Sequence, residues 1–209
     1  AQILRASGYD THLFGHAHEA RTQERCGHEH IHAGGPPSNT ASNIANDVIE
    51  WVSQCSSEAR PFFAQVNFFE PHRPFPHDDV EALSPDGLTV PPYLPDIPEV
   101  REDLAEIEAS IASVDRAFGR IVESIRSSGL ADSTIIVFTA DHGIAFPHAK
   151  MTLYDPGIEV PLVLSGPGIA PGTVRDELIS HVDIMPTLLE LADLSVPSNL
   201  QGRSFASLL

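Results

Sequence analysis

The chain has 209 residues, with 12 basic against 29 acidic side chains and a formal net charge of −17 at pH 7. That length supports one domain with a sizeable core, the 42% hydrophobic content suits a globular protein, and no run approaches the roughly 18 apolar residues of a membrane-spanning helix. So acidic a chain argues against a partner such as nucleic acid or a long polyanion gripped over a wide surface, although a small anionic group can still enter a locally positive pocket.

In chain order, residues 1–9 (AQILRASGY) read as a helix, and residues 11–15 (THLFG) as a short strand ending in His16-Ala17-His18. The run His28-Glu29-His30-Ile31-His32 alternates histidines, which on an extended segment share one face and can take up Zn²⁺ or Ni²⁺ adventitiously; a solvated loop is the expectation here. Residues 39–51 carry Ala41, Ile44, Ala45, Val48 and Ile49 on one helical face, with Ser38 as the cap. Residues 61–69 (PFFAQVNFF) form a second apolar strand that breaks into Glu70-Pro71-His72-Arg73-Pro74, where two prolines stiffen the turn around His72. The proline-rich stretch 75–98 is expected to be a long loop, with Asp78-Asp79 as solvated acids.

From Val100 to Ile125, apolar residues recur at spacings of four and three, predicting a long amphipathic helix that ends at Gly129. Residues 134–139 are apolar at nearly every position, as expected of a central strand of a parallel sheet covered on both faces. They run directly into Asp141-His142-Gly143, and a lone Lys150 follows. Residues 160–165 read as a further strand and 184–192 as a helix capped by Asp183. This order predicts a single α/β unit, a mostly parallel sheet flanked by helices, in which a right-handed crossover joins the strands at 61–69 and 134–139.

Ligands in open α/β sheets bind beyond the carboxyl ends of the strands. If the three strands lie parallel in one sheet, His16, His18, His72, Asp141 and His142 gather along one edge. A lone histidine is most often an ordinary surface or core residue, and an Asp after a strand is often a turn cap. Three such junctions in one short chain, followed by the lysine segment, point to a site instead.

The segment K-x-T-L-Y-D-P-G-I-x-V-P-L from Lys150, after A-D-H-G, closely resembles the sulfatases of the alkaline phosphatase superfamily. There D-H-G or D-N-G precedes G-K-x-T-x-Y-E-G-G-x-R-V-P. The turn around His72 and the upstream G-Y-x-T-x-x-x-G-x-x-H match in the same order, and V-D-I-M-P-T-L from Val182 resembles a family helix start. The wording F-P-H-A-K-M-T-L-Y-D-P-G-I is most similar to the heparan N-sulfatase (N-sulfoglucosamine sulfohydrolase) branch.

The resemblance implies that Asp141 and His142 are ligands of a divalent cation, Ca²⁺ in most of the family, and that Lys150 holds a sulfate oxygen. It also implies that His72 contacts the sulfate or the leaving group, and that His18 matches the histidine of the family's G-K-x-H. His16 stands where that motif has lysine, so a permanent charge becomes a titratable one. Cleaving a sulfate ester or sulfamate requires holding a tetrahedral anion, stabilising charge on its oxygens and protonating the leaving atom, and a cation, a lysine and histidines supply these.

The family's nucleophile, a formylglycine made from C-x-P-x-R or S-x-P-x-R, has no counterpart here, because neither Cys26 nor Cys55 has the proline and arginine. Residues 1–209 are therefore expected to be a partial catalytic domain that starts after the nucleophile strand and is inactive alone. A small sulfated sugar is the expected substrate, and a periplasmic, secreted or lysosome-like compartment the implied location. A phosphonate or phosphodiester hydrolase of the same superfamily, and a noncatalytic relic acting as a binding module, are the alternatives.

Overall fold

The structure, a computed structural model, describes residues 1–17, 19–32, 40–55, 60–77 and 80–209. After a short helix α1 (Gln2–Ala6), strand β1 (Asp10–Gly15) enters the middle of a parallel sheet between β2 (His30–His32) and β3 (Phe62–Asn67). β1 pairs with β3 from Asp10 opposite Phe62 to Gly15 opposite Asn67, and with β2 from His12 opposite His30 to Phe14 opposite His32. A strand with a neighbour on each side and helices on a face should be apolar and buried, and Thr11 to Gly15 are all buried. The histidine run at 28–32, read from sequence as a solvated loop, is therefore corrected: its last three residues are an edge strand whose ladder groups are satisfied by β1.

Helix α2 (Ala41–Val52) starts at Thr40, whose Oγ1 accepts the Asn43 N–H at 3.4 Å, while Ser38, the expected cap, lies outside the described residues. Its buried face of Ala41, Ile44, Ala45, Val48 and Val52 meets Val114, Ala117, Ile121 and Ile125 of the long helix α3 (Pro98–Ser127). Pro98 at the first turn of α3 is tolerated because its missing N–H would have no helical partner there. The helix stops where Gly129 turns left-handed at φ 72°. A buried Ile or Leu on this interface contributes about 1.5–3 kcal/mol by removal from water.

The N-terminal half of α3 holds the proline-rich loop. Leu104 and Ile107 pack with Phe75, Leu94 and Phe146, while the buried hydroxyls of Ser110 and Ser113 donate to the carbonyls of Pro76 (2.6 Å) and His77 (2.8 Å). Arg101 holds the far end of the loop through Asp96 and the carbonyls of Pro85 and Leu88. Asp78 and Asp79 lie outside the described residues.

The strand carrying Asp141 departs from expectation. β4 (Ile136–Thr139) is half-buried, and it pairs antiparallel with β5 (Leu162–Ser165), Ile136 opposite Ser165. Among the described residues it shares no ladder with β3, so the two strands expected to be joined by a crossover within one sheet lie in separate sheets. The two sheets are joined by the helices instead, since Phe62, Ala64 and Val66 of β3 and Ile136 and Phe138 of β4 pack on the same α2–α3 core. Beyond a one-turn helix α4 (Asp155–Ile158) lies α5 (Ile184–Leu191). Asp183 does not cap α5 with its side chain; its carboxylate accepts the N–H groups of Ser180 (2.9 Å) and Arg203 (2.7 Å), closing the preceding turn and pinning the C-terminal segment.

Candidate functional site

β1 and β3 run the same way, so their C-terminal ends open on one edge. Gly15 ends β1 at φ 76°, and a Cβ there would lie 2.0 Å from the Asn67 carbonyl oxygen, so only glycine lets the chain leave this close to β3. His16 follows it, exposed at that edge, and His18 lies outside the described residues.

β3 continues through Phe68 and Phe69 into the His72 turn, where the peptide bonds before Pro71 and Pro74 are cis. Glu70 is 4% exposed, and its Oε1 accepts the Ala41 N–H at 2.9 Å, anchoring the turn to the positive end of α2. His72 stands exposed beyond it with Nδ1 2.7 Å from the Arg73 carbonyl. A carbonyl only accepts, so Nδ1 carries the proton and the neutral ring presents Nε2 as an acceptor, the arrangement needed to receive and return a proton.

The segment after β4 is folded back on itself. Gly143 N–H donates to the Gly157 carbonyl at 3.0 Å, and a Cβ on Gly143 would sit 1.7 Å from the Pro156 oxygen. The Lys150 N–H donates to the Ile144 carbonyl at 3.0 Å, between His148 and Met151, both at positive φ (63° and 65°). The second bond holds the backbone of Lys150 against Ile144, two residues past the Asp141-His142 pair, although five residues of chain lie between Ile144 and Lys150. Within the pair, His142 Nδ1 donates to the Gly143 carbonyl at 2.8 Å, and Nε2 lies 3.4 Å from Asp141 Oδ2. An imidazole oriented by a backbone carbonyl beside a carboxylate offers two donor types that a metal ion can use.

That donor set fits a divalent cation as two of its ligands. A hard cation such as Ca²⁺ takes six to eight oxygens, roughly, so further carboxylates must complete the shell. Among the described residues no third carboxylate, thiol or imidazole joins this pair.

Arg73 connects the two segments. Its Nε donates to the Ala145 carbonyl at 3.3 Å, its guanidinium lies over Phe75 (4.5 Å) and Phe146 (5.2 Å), and it pairs with Asp103 on α3. The structure thus joins the His72 turn to the Asp141–Lys150 loop, and places His16 on the strand beside β3. His181 is tied to the end of β4 through Thr139 Oγ1 at 3.2 Å, while the His148 ring meets Tyr154 edge-on at 5.8 Å. The positioning roles of Glu70, Arg73 and Gly157 escaped the sequence reading; Glu70 and Arg73 did flank His72 in the E-P-H-R-P turn, but nothing in the text names their distant partners.

A profile described as Sulfatase matches residues 1–194. The chain belongs to the sulfatase family. It is 29% identical over 168 residues to human N-sulphoglucosamine sulphohydrolase, covering 68% of this chain and 34% of that protein. It is 34% identical over 165 residues to an endo-4-O-sulfatase of Bacteroides thetaiotaomicron, covering 71% of this chain and 32% of the relative. The chain therefore spans about a third of the length of these curated relatives. A solved sulfatase structure concerned with glycosaminoglycan metabolism by Bacteroides thetaiotaomicron superposes with a TM-score of 0.83 at 23% identity, covering 99% of this chain and 56% of the other. Another, solved with its substrate D-glucosamine-2-N,6-O-disulfate, gives 0.77 at 19% identity, with 100% and 63% covered. These likenesses show the α/β fold of the alkaline phosphatase type.

Neither cysteine of this sulfatase chain is set up as a nucleophile. Burial, then Glu19, raises the Cys26 thiol above its ordinary pKa, and burial, then Asp10, does the same for Cys55.

Proposed function

We propose that this chain forms the sulfate-binding and proton-transfer part of a hydrolase that cleaves sulfate esters or sulfamates of sugars. The observation that carries it is the interlocked loop in which Gly143 bonds Gly157 and Lys150 bonds Ile144, so that one short segment presents a carboxylate–imidazole pair and a lysine together. Lys150 supplies a fixed positive charge for a sulfate oxygen, and His72, with Nδ1 committed to the Arg73 carbonyl, exchanges a proton with the leaving group through Nε2. His16 adds an exposed imidazole at the same edge. Asp141 and His142 hold the divalent cation, Ca²⁺ in this reading, which when bound neutralises charge on the transferring group. The relatives named for sulfated glucosamine support a sugar as the substrate class; the attacking group in this reading is a formylglycine, for which neither Cys26 nor Cys55 has the flanking proline and arginine.

The test is to supply the complete protein with N-sulfoglucosamine, a 4-O-sulfated disaccharide and a chromogenic phosphodiester, measuring released sulfate or phenolate. Sulfate release with a silent phosphodiester is the expected result. Faster phosphodiester turnover would favour the phosphoryl-transfer alternative, for which the structural likeness to a lipoteichoic acid synthase of Listeria monocytogenes (TM-score 0.64, 19% identity) shows a shared fold.

A further inference from the structure

A second group of ligand-type side chains lies at the opposite end of β1. The parallel register puts His30 of β2 beside His12 of β1, and Asp10, two residues earlier, shares their face of the sheet. Asp10 Oδ1 is 3.4 Å from His12 Nε2 and 3.1 Å from His30 Nε2, and one donor atom from each residue lies within 4.8 Å of the other two. His12 is 5% exposed, yet its Nε2 and the facing Asp10 Oδ1 are buried without a hydrogen-bond partner. On the other side of the ring, His12 Nδ1 lies 3.0 Å from His32 Nε2.

Those contacts define the electrostatics. In the tautomer that donates Nδ1–H to His32 Nε2, His12 turns a lone pair toward the buried Asp10 Oδ1, and two electron-rich atoms face each other. A hydrogen bond at 3.4 Å with poor alignment does not relieve that; a cation between them does. The nearby Arg60 guanidinium is engaged with the Gly8 and Tyr9 carbonyls and with Glu29.

We propose that Asp10, His12 and His30 form a binding site for a divalent transition-metal ion, best suited to Zn²⁺. Bonds of 2.0–2.1 Å in a tetrahedron separate ligand atoms by about 3.3 Å, close to the spacings found, and two imidazoles with one carboxylate suit zinc better than Ca²⁺. His32 is a positioning residue that fixes the His12 tautomer from behind. The site clips the three-residue edge strand β2 to β1. It lies roughly 13 to 20 Å along the strand from His16, so it is separate from the sulfate-binding edge.

The experiment is calorimetric titration of the metal-stripped complete protein with ZnCl₂ at pH 7.5, with thermal unfolding of each protein with and without zinc. Wild type and Asp141→Ala should each retain one Zn²⁺ equivalent at this site and unfold at higher temperature with zinc. His30→Gln, whose side chain is half-exposed and tolerates change, and Asp10→Asn should each bind on the order of a hundredfold more weakly, and His32→Phe about tenfold more weakly. Undiminished zinc binding in both His30→Gln and Asp10→Asn, its loss in Asp141→Ala, or no binding tighter than millimolar in wild type overturns the proposal.

Discussion

Arg73 Nε donates to the Ala145 carbonyl at 3.3 Å, a bond across 72 residues of sequence that holds the His72 turn against the loop carrying Asp141 and Lys150. A guanidinium does this well because its planar fork serves the carbonyl and Asp103 while its face stacks on Phe75 and Phe146. Arg73→Ala in the complete protein should therefore lower kcat by roughly ten- to a hundredfold through misplacement of His72, with little change in thermal stability. Arg73→Lys should recover only part of the loss. Wild-type kcat in Arg73→Ala would show that the two segments are held without it.

Lys150→Ala should be more severe. Loss of a fixed charge aimed at the transferring group costs on the order of a hundred- to a thousandfold in turnover, and the fold should survive because the anchoring bond uses the Lys150 backbone N–H. Steady-state kinetics on the sulfated sugar, with circular dichroism as the control, decides the matter. Near wild-type turnover removes Lys150 from the site.

Asp141→Ala should remove the calcium equivalent from the complete protein, since His142 alone offers a hard cation one nitrogen and no charge. Elemental analysis after dialysis measures it. Full calcium occupancy would make Asp141-His142-Gly143 a structural turn.

His28 gives a pH prediction. Both ring nitrogens are buried without a hydrogen-bond partner, and burial above all pushes its pKa down to about 4. The unfolded chain takes up the His28 proton below about pH 6.5 whereas the folded chain resists until about 4, so stability is fully present above 6.5 and is lost as pH falls through that window. The loss attributable to His28 is at most about 3 kcal/mol. Urea unfolding of wild type and His28→Leu at pH 7.5 and pH 4.5 should show a smaller drop in the variant; equal drops would assign the acid sensitivity elsewhere.

Residues 1–209 by themselves should not turn over sulfate esters or sulfamates. Neither Cys26 nor Cys55 has the proline and arginine of C-x-P-x-R, and among the described residues Asp141 and His142 make only part of a cation site. An assay of this chain with an aryl sulfate, N-sulfoglucosamine and Ca²⁺ checks this. Multiple turnovers would locate a nucleophile within it.

The sequence by itself determined the features set by local chemistry. The recurrence of apolar residues along 100–125 dictates the face α3 buries, and the apolar runs before His16, His72 and Asp141 mark strands that deliver polar residues at their ends. The order of the D-H-G and lysine motifs carried the family, because those residues are required by the chemistry of one anion and lie close together in the chain. Only the tertiary structure decided which strand lies beside which. A period of two is the same for a paired edge and a solvated stretch, so His30–His32 became a strand only because β1 offered it a ladder, and that pairing alone brought His30 to Asp10 and His12. The antiparallel pairing of β4 with β5, the hold of Asp183 on the Arg203 N–H and that of Arg73 on Ala145 are of the same kind. Backbone carbonyls and N–H groups are identical at every residue, so the text gives no sign of which one a distant side chain will meet.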